Sequence, residues 1–431
     1  MPRILIVAEH ASTAFGGEAS LPLHYFRVLR QRGLPVWLLV HERTRSELQA
    51  QFGTTPHIVY VRDTWAHRLL WQLGRPLPAR LSYFSTGLLL RLLTQTLQRH
   101  IAKEMVVRLG IDVVHQPIPV SPKEPSLLFN LGAPVLIGPM NGGMNYPPAF
   151  RALQGRWVER LIQLGRRSSE LANRLVPGKR RARFLIVANE RTRLALPPTQ
   201  GPEIVQLVEN GVDLSLWRRS HPVVAASGTA QFVFVGRLVD WKAVDMLLQA
   251  FDQAASRQPM ALTIIGDGPM RDALQQQAKS SRRLVDPTAL MPAAGEVRFA
   301  GWMRQSDCAQ ALQSADAMVL PSLMECGGAV VLEAMACGLP VIATDWGGPA
   351  DYLDPSCGIL VPPTDRDLFI AGLCEAMVRL ARDPVLRRTM GQAGRAKVER
   401  EFDWEAKVDR MLKLYERACA TGSSSSSPQH V

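Results

Sequence analysis

The chain has 431 residues, of which 47% are hydrophobic and 20% are charged, and its net charge is +12. This length corresponds to roughly two to three ordinary domains, and the composition is normal for a soluble globular protein and far from that of a disordered chain. No apolar run reaches the roughly 18 residues of a transmembrane helix, so none is predicted.

The positive charge is concentrated in the first half of the chain. Residues 1–215 contain 27 Lys and Arg against 14 Asp and Glu, a net charge of +13, whereas the remainder contains 23 basic and 24 acidic residues, a net charge of −1. This asymmetry predicts that the first half meets an anionic partner, with a membrane surface, phosphate groups and nucleic acid as the alternatives.

The N-terminal run ILIVA (4–8) ends at once in Glu9 and His10. It predicts a first β-strand rather than a signal peptide, which needs a charged region, a long apolar core and a cleavage site in series. The six cysteines include no CxxC pair. In a chain of this length, they are expected to be reduced thiols in a cytosolic compartment.

Short apolar runs alternate with helical segments through the first half. The turn FGGEAS (15–20) and a helix to Arg32 follow the first strand. This alternation is typical of a parallel, doubly wound sheet. Further strands are predicted at 35–40, 57–61, 113–115, 133–138 and 184–189.

A helical insertion is predicted at 64–109, where Arg is mixed with Trp, Leu and Phe and only one acidic residue occurs. A second basic stretch covers 166–183. Two interpretations stay open for both segments. They are packed helices with solvated Arg faces, or an interfacial basic surface that rests on anionic lipid or collects a lipid-linked substrate.

The second half repeats the alternation of strand and helix, with strands and their turns predicted at 231–238, 261–269, 296–303, 317–322 and 340–348. We therefore expect an α/β protein of two Rossmann-like, doubly wound domains that face each other across a cleft. The predicted divisions are an N-terminal domain (1–205), a linker (206–229), a C-terminal domain (230–395), a last helix (396–418) and a disordered tail (419–431).

Several common site motifs are missing from the sequence. The residues after the first strand do not match GxGxxG, and neither GxxxxGK[ST] nor HExxH occurs, which disfavours dinucleotide, P-loop and zinc-protease chemistry. The acidic pair Asp365 and Asp367 is interpreted as a helix cap rather than a metal site.

Four segments of the second half lie where predicted strands end, so we expect them to converge on one sheet edge. In the first of them, Gly236 permits a tight turn, after which Arg237 and Lys242 can reach a phosphate pair. Arginine supplies a forked donor there and lysine a point charge. The four segments are GRLVDWK (236–242), GDGP (266–269), ECGGAVVLE (325–333) and ATDWGG (343–348).

The segment ECGGAVVLE predicts a loop that leads into a helix. Gly327 and Gly328 would let backbone N–H groups approach a ligand at the helix N-terminus, whose partial positive charge and unpaired donors suit a diphosphate. Glu333, inside the helix, can accept hydrogen bonds from the vicinal hydroxyls of a ribose. Glu325, in the loop, faces the other side of the diphosphate, where a sugar would lie.

The E-x7-E pattern of Glu325 and Glu333, with GR…K upstream and LEAMACGLPVIATDWGG downstream, closely resembles the large retaining glycosyltransferase family 4. VENGVD (208–213) and the terminal FDW helix extend the resemblance over nearly the whole chain. It implies a GT-B fold, a nucleotide-sugar donor, no bound metal and a last helix that crosses back onto an N-terminal, acceptor-binding domain.

The resemblance assigns roles by position. Arg237 and Lys242 would bind the diphosphate, Glu333 the ribose and Glu325 the donor sugar, while Gly17 would approach the phosphates from the other domain. The predicted catalytic residues are Glu325, Arg237, Lys242 and His115. The predicted donor-binding residues are Gly17, Gly236, Arg237, Lys242, Gly266, Cys326, Gly327, Gly328, Ala329 and Glu333.

Two positions depart from the family pattern. The usual EGFG is ECGG here, so Cys326 and Gly327 replace Gly and Phe, and Ala243 follows Lys242 where Gly is common. The replacements are small enough to preserve the backbone path.

Two features of the first half are assigned to the acceptor side. His115, at the end of a strand in DVVHQP, is predicted to contact the acceptor or the sugar, although its register is open. The segment GPMNGG (138–143) resembles a family loop that would place Asn141, Gly142 and Gly143 on the acceptor side. The alternative is a simple turn between sheet elements.

The resulting prediction is a retaining transferase of the EC 2.4 type that moves a sugar from a nucleotide-diphosphate sugar to an acceptor hydroxyl, in polysaccharide, lipopolysaccharide or glycolipid assembly. It implies no cofactor or metal. The expected partners are the donor, a sugar or lipid-linked acceptor and an anionic membrane surface, with the protein in the cytoplasm or peripheral at the inner face of the plasma membrane.

Two alternatives share the fold, and a third does not need it. A sugar-nucleotide epimerase or hydrolase would not require the basic, aromatic insertion at 64–109. A non-catalytic subunit of a polysaccharide-assembly complex would not need an intact E-x7-E pattern with Arg237 and Lys242. Nucleic-acid binding lacks any recognised fold motif and is not expected.

Overall fold

The computed structural model describes residues 1–15, 17–77, 82, 85–154, 169–218, 228–281, 283–286 and 291–422. The described residues divide into two compact units. The first unit is drawn from 1–143, 157–209 and 404–431, and the second from 144–156 and 210–403. Each unit is built on one parallel β-sheet.

The first sheet contains β1 (Ile4–Val7), β2 (Val36–His41), β3 (Ile58–Val61), β4 (Val113–Gln116), β5 (Val135–Met140), β6 (Phe184–Val187) and β7 (Glu203–Gln206). Their order is β3-β2-β1-β4-β5-β6-β7, and all pairs are parallel. Ile4 lies opposite Val36 on one side and Val113 on the other. The apolar runs predict β1 to β6 correctly because helices bury both faces of a parallel sheet.

The second sheet contains β8 (Ala230–Val235), β9 (Met260–Ile265), β10 (Val297–Gly301), β11 (Ala317–Leu320), β12 (Val341–Thr344) and β13 (Gly358–Val361). Their order is β10-β9-β8-β11-β12-β13, again all parallel. Both sheets are therefore doubly wound, with the strand order reversing between β1 and β4 in one unit and between β8 and β11 in the other. A crevice for ligands opens outside the carboxyl ends of the strands at such a point.

The helices that cover the sheets are α1 (Gly17–Gln31), α2 (Arg45–Phe52), α3 (Trp65–Gly74), α4 (Thr86–Leu109), α5 (Gly178–Arg181), α6 (Glu190–Ala195), α7 (Val244–Ala255), α8 (Arg271–Ser280), α9 (Gln305–Gln313), α10 (Ala329–Ala336), α11 (Gly348–Tyr352), α12 (Arg366–Arg382), α13 (Pro384–Glu401) and α14 (Trp404–Gly422). No helix in the described ranges is long and apolar enough to cross a membrane. All six cysteines lie within those ranges, and no disulfide joins any two of them.

The predicted insertion at 64–109 consists of α3 and α4, with residues 78–81 and 83–84 outside the described residues. The two helices are joined by a hydrogen bond of 3.1 Å between His67 Nε2 and Thr94 Oγ1. Of the second basic stretch, 166–168 also lie outside the described residues.

The last helix belongs to the first unit, but its predicted start at 396 is wrong. Helix α13 runs to Glu401, and α14 begins at Trp404. Trp404 and Tyr415 are buried in the same apolar core as Ile4 and Ile6 of β1. The tail predicted at 419–431 begins too early, because α14 extends to Gly422; residues 423–431 lie outside the described residues.

The predicted limits 1–205, 206–229 and 230–395 also need correction. Residues 144–154 belong to the second unit, where the backbone oxygen of Asn145 accepts a hydrogen bond from Trp346 Nε1 at 2.8 Å. Within the predicted linker, Val212 N–H donates to the backbone oxygen of Phe402 at 2.8 Å, which ties it to the second unit. Residues 219–227 lie outside the described residues.

Candidate functional site in the second unit

Two turns pack tightly against each other at the carboxyl ends of β8 and β9. The N–H of Gly236 donates to the backbone oxygen of Ile265 at 3.0 Å. Gly266 has φ +136°, and a Cβ there would lie 1.9 Å from the Gly236 oxygen. Only glycine fits such an approach, and it fixes the backbone that carries Arg237 and Lys242.

The two predicted phosphate-binding side chains differ in their environment. Arg237 is exposed and makes no side-chain hydrogen bond to any described residue. Lys242 forms an ion pair with Glu325, and their side chains are only 14% and 16% exposed. The ion pair therefore places a cation and a carboxylate side by side near the strand ends.

Ala243 has a left-handed backbone, with φ +52°, and is fully buried at the start of α7. Alanine thus adopts the left-handed backbone conformation that glycine would favour. This conformation costs a non-glycine residue about 1–2 kcal/mol. This departure from the family pattern leaves the turn before α7 intact.

The loop after β11 leads directly into α10. This helix begins at Ala329, and Gly328, with φ +72°, is its N-cap. A Cβ on Gly328 would lie 3.0 Å from Cγ of Glu325. Cys326 is exposed beside it. The Glu325 side chain thus lies close to the N-terminus of α10.

The loop after β12 closes the cluster from another side. Gly348 N–H donates to the backbone oxygen of Glu325 at 2.8 Å. A Cβ on Gly348 would lie 2.3 Å from the oxygen of Gly327, so this approach also requires glycine. The structure thus joins all four predicted segments at the point where the strand order of the second sheet reverses.

Glu333 lies in the second turn of α10 and is half-buried. Its carboxylate makes no hydrogen bond to any side chain or backbone group in the described ranges, and burial raises its pKa to about 7. A desolvated carboxylate without donors gains free energy when hydroxyl groups donate to it.

Sequence-predicted residues in the first unit

His115 does not have the exposure that its predicted contact with an acceptor or a sugar requires. It is completely buried, with Nε2 2.6 Å from the backbone oxygen of Gly138 and Nδ1 2.8 Å from the Tyr415 hydroxyl. Burial lowers its pKa to about 4. Since both ring nitrogens are occupied, His115 is corrected from a catalytic residue to a packing residue.

The loop with Asn141, Gly142 and Gly143 is held by hydrogen bonds within the first unit. The Asn141 amide is buried and donates to Glu209 Oε1 at 2.7 Å. The N–H of Gly142 donates to Thr192 Oγ1 at 3.1 Å. These bonds hold the loop against α6, and its assignment to the acceptor side stays a prediction.

Gly17 is the first residue of α1, and an added Cβ would meet nothing within 4 Å. Its surroundings therefore do not demand glycine. Its predicted approach to phosphates stays a prediction.

One cluster in the first unit has the residue types of a metal site. His41, Asp63 and His67 have ligand atoms within 4.8 Å of one another. However, Nδ1 of His41 accepts from Arg43 N–H at 3.3 Å, and Nδ1 of His67 accepts from Thr64 N–H at 3.2 Å. Each neutral ring therefore carries its proton on Nε2, which removes the lone pair that a metal needs. Asp63 also binds the Arg43 guanidinium at 3.2 Å, so this donor set does not fit a cation.

The first unit also contains a cavity of about 270 Å³ that was not predicted from the sequence. It lies beyond the carboxyl ends of β1 and β4, and its polar lining includes Glu9, His10, Glu18, Gln116 and Glu124. The signal was present in part, because Glu9 and His10 directly follow the first apolar run, but these residues were interpreted only as the end of a strand.

Comparison with known proteins

A family model described as group 1 glycosyl transferases matches residues 229–383. A GDP-mannose-dependent monoacylated alpha-(1-6)-phosphatidylinositol monomannoside mannosyltransferase of Corynebacterium glutamicum is 33% identical over 186 residues, 41% of this chain and 45% of the relative. A D-inositol 3-phosphate glycosyltransferase of Saccharomonospora viridis is 30% identical over 230 residues, 51% of each chain. The chain spans about half the length of the curated relatives it matches.

Two solved structures resemble nearly the whole chain. The Anabaena HepE protein in complex with UDP and glucose has a TM-score of 0.62 and 17% identity over 96% of this chain and 100% of that chain. Sucrose-phosphate synthase from Thermosynechococcus elongatus has a TM-score of 0.65 and 20% identity over 97% of this chain and 100% of that chain. These likenesses show that the chain has the GT-B fold. Within it, residues 229–383 are similar to the group 1 glycosyl transferases.

Proposed function

We propose that the protein transfers a sugar from a nucleotide-diphosphate sugar to an acceptor hydroxyl with retention at the anomeric carbon. The observation that carries this proposal is the cluster at the carboxyl end of the second sheet. There the Lys242–Glu325 ion pair lies beside the N-terminus of α10, with Arg237 exposed on a neighbouring turn and Glu333 inside the helix.

The cations of this cluster would act on the leaving group. As the bond between the anomeric carbon and the diphosphate oxygen breaks, the diphosphate gains negative charge. Arg237, Lys242 and the N–H groups of α10 stabilise that charge more strongly in the transition state than in the ground state, which lowers the barrier. The acceptor oxygen bonds to the anomeric carbon, and its proton passes to the leaving phosphate. We propose that no metal is needed, since two cationic side chains and a helix N-terminus supply the charge.

The two carboxylates would hold opposite ends of the donor. Glu333, which lacks donors, accepts hydrogen bonds from the ribose hydroxyls. Glu325 accepts from hydroxyls of the sugar while it stays beside the Lys242 ammonium. Cys326, Gly327, Gly328 and Ala329 present the backbone of the helix N-terminus to the diphosphate.

The acceptor class is proposed from the relatives and from helix α3. The Corynebacterium glutamicum relative is named for a phosphatidylinositol mannoside, which supports a glycolipid or another lipid-linked acceptor, in polysaccharide, lipopolysaccharide or glycolipid assembly. Trp65 and Trp71 on α3 are 73% and 56% exposed, and Leu69 and Leu73 are also exposed. Because Arg68 flanks this apolar face, α3 suits an anionic membrane surface, where tryptophan and arginine are favoured.

We propose that the protein works in the cytoplasm and peripherally on the inner face of the plasma membrane. The test is co-sedimentation with vesicles of phosphatidylglycerol and phosphatidylcholine. We expect binding at low salt that weakens as salt rises, and loss of binding in a Trp65→Ser/Leu69→Ser variant. A matched variant, Leu194→Ser, changes an exposed leucine of α6 and should bind normally. No binding at low salt, or equal binding of both variants, would contradict the membrane proposal.

The transfer proposal is tested with purified protein, UDP-, GDP- and ADP-sugars and a bacterial lipid extract. We expect release of the nucleoside diphosphate that depends on the extract, and a glycosylated product with the anomeric configuration of the donor by NMR. Equal release without the extract would indicate a hydrolase, and conversion of the sugar on an intact nucleotide would indicate an epimerase. Either result would contradict the proposal, as would no consumption of any donor.

A further inference from the structure

The carboxylate of Glu325 lies close to the groups that would hold a diphosphate. It forms an ion pair with Lys242, and the side chains of Lys242 and Glu325 are only 14% and 16% exposed. Its Cγ would lie 3.0 Å from a Cβ built on Gly328, the N-cap of α10. An ammonium group and a helix N-terminus both favour anions, and here a carboxylate of the protein already lies beside both.

Backbone hydrogen bonds hold the two loops that carry this ion pair. The backbone oxygen of Glu325 accepts from Gly348 N–H at 2.8 Å. The backbone oxygen of Trp241, next to Lys242, accepts from Leu323 N–H at 2.8 Å, which ties the turn after β8 to the loop after β11. The pair is therefore fixed by the fold, unlike the exposed ion pairs that two long surface side chains form by chance.

The ion pair lowers the positive charge that an incoming diphosphate meets. Arg237 is exposed and has no side-chain hydrogen bond within the described part of the chain, so its guanidinium can bind a phosphate. The Glu325 carboxylate cancels one of the two positive charges of Arg237 and Lys242. A site that only had to hold a diphosphate would bind it more tightly without this carboxylate.

The donor and the product of the proposed reaction differ in charge and in hydrogen-bond donors. In a nucleotide-diphosphate sugar, the terminal phosphate is esterified by the sugar and has no second ionisable oxygen. In the released nucleoside diphosphate, that oxygen has a pKa of about 6 and is charged in neutral solution. The product is therefore more negative than the donor, and it has lost the sugar hydroxyls that donate to Glu325.

We propose that Glu325 sets the preference of the site for the sugar-bearing nucleotide over the released nucleoside diphosphate. In the donor complex, sugar hydroxyls donate to its carboxylate and offset its repulsion of the diphosphate. In the product complex those donors are gone, and the carboxylate faces a more negative phosphate beside the same Lys242 ammonium. Its charge therefore weakens product binding and limits product inhibition. This inference rests on the proposed function, because it concerns the donor and the product of that reaction.

The experiment measures dissociation constants by isothermal titration calorimetry at about pH 8, where the terminal phosphate of the product is ionised. The ligands are UDP, GDP and ADP, together with UDP-glucose, UDP-galactose, GDP-mannose and ADP-glucose. Glu325→Gln keeps the shape of the side chain and removes its charge. We expect it to bind the nucleoside diphosphate at least about tenfold more tightly than the wild type does. Its affinity for the intact nucleotide sugar should not rise, because glutamine also loses the charge-assisted bonds from the sugar hydroxyls.

Two further variants separate the effect of the charge from other effects. Glu325→Asp keeps the charge and should bind the nucleoside diphosphate as weakly as the wild type does. Glu375→Gln removes the carboxylate of another ion pair, and its partner Arg257 lies between α7 and β9, at the amino end of that strand. This matched control should bind every ligand as the wild type does. Melting temperatures without ligand show whether each variant is folded.

The outcomes distinguish this inference from the proposed function. If neither the wild type nor any variant binds a nucleoside diphosphate or a nucleotide sugar, the proposed function is wrong, and the inference with it. If the wild type binds a nucleotide but Glu325→Gln binds the nucleoside diphosphate no more tightly, the inference alone is wrong. An equal gain in affinity for the nucleoside diphosphate and the nucleotide sugar, or the same gain in Glu325→Asp, would also overturn the inference.

Discussion

Replacement of Glu333 by glutamine should stabilise the second unit in alkaline solution and weaken nucleotide binding at the same time. Burial raises the pKa of Glu333 from 4.5 to about 7. The folded state therefore holds this proton more tightly than the unfolded state does. Each pH unit between the two pKa values corresponds to about 1.4 kcal/mol, so the charged carboxylate costs the folded protein about 3 kcal/mol above pH 7.

The cost appears only where the carboxyl group ionises. Below about pH 4.5 the side chain is neutral in both states, and the glutamine variant should be about as stable as the wild type. As the pH rises from about 4.5 to about 7, the wild type loses stability relative to the variant, and above about 7 the variant is more stable by about 3 kcal/mol. Urea unfolding at about pH 5 and about pH 8.5 measures both differences, with Glu416→Gln as the exposed-carboxylate control.

Two results would refute the reasoning. A difference in unfolding free energy that is the same at both pH values would show that the Glu333 charge is not desolvated. If the variant binds UDP, GDP or ADP as tightly as the wild type does, Glu333 does not bind the ribose. The combination of higher stability and lower affinity is typical of a side chain retained for binding.

Three further changes test the site and the fold. Lys242→Ala should lower sugar transfer about 10²–10³-fold with an unchanged circular dichroism spectrum, and near-normal turnover would rule out its role beside Glu325. Gly266→Ala, whose Cβ would lie 1.9 Å from the Gly236 oxygen, should cost at least about 2 kcal/mol of stability, seen as a lower melting temperature; an unchanged melting temperature would contradict the close packing of the two turns. Arg32→Ala removes ion pairs to two carboxylates of α14 and should cost about 1 kcal/mol at low salt and less at high salt, whereas a loss independent of salt would indicate packing instead.

Local features could be predicted from the sequence because their causes lie within a few residues. The interpretation of Asp365 as a helix cap is confirmed, since its side chain accepts from Leu368 N–H at 2.8 Å at the start of α12. Strands such as β1 and β8 were predicted because continuous apolar runs are expected where a sheet is covered on both faces. The strand β7 was missed because Glu203 and Gln206 make this edge strand partly polar.

Features that depend on distant residues could not be predicted. His115 ends a strand as expected, but its partner Tyr415 is 300 positions away in the chain, and no local pattern shows that their side chains meet. Likewise, nothing near Asn145 in the sequence points to Trp346, whose indole binds its backbone. The donor-site cluster was accessible because its segments each follow a strand, and parallel strands bring their carboxyl ends to one edge.

Nucleotide binding by the second unit is tested most directly by thermal unfolding with saturating UDP, GDP or ADP. The wild type and the variants Lys242→Ala and Glu333→Ala are measured in the same assay. A nucleotide at about 100 times its Kd should add about 2.7 kcal/mol to the stability of the unit that binds it. We predict that one of the three nucleotides raises the melting temperature of the wild type by several degrees and that the two variants lose most of this shift. No shift with any nucleotide, or an equal shift in the wild type and both variants, would contradict a nucleotide-sugar site at Lys242 and Glu333.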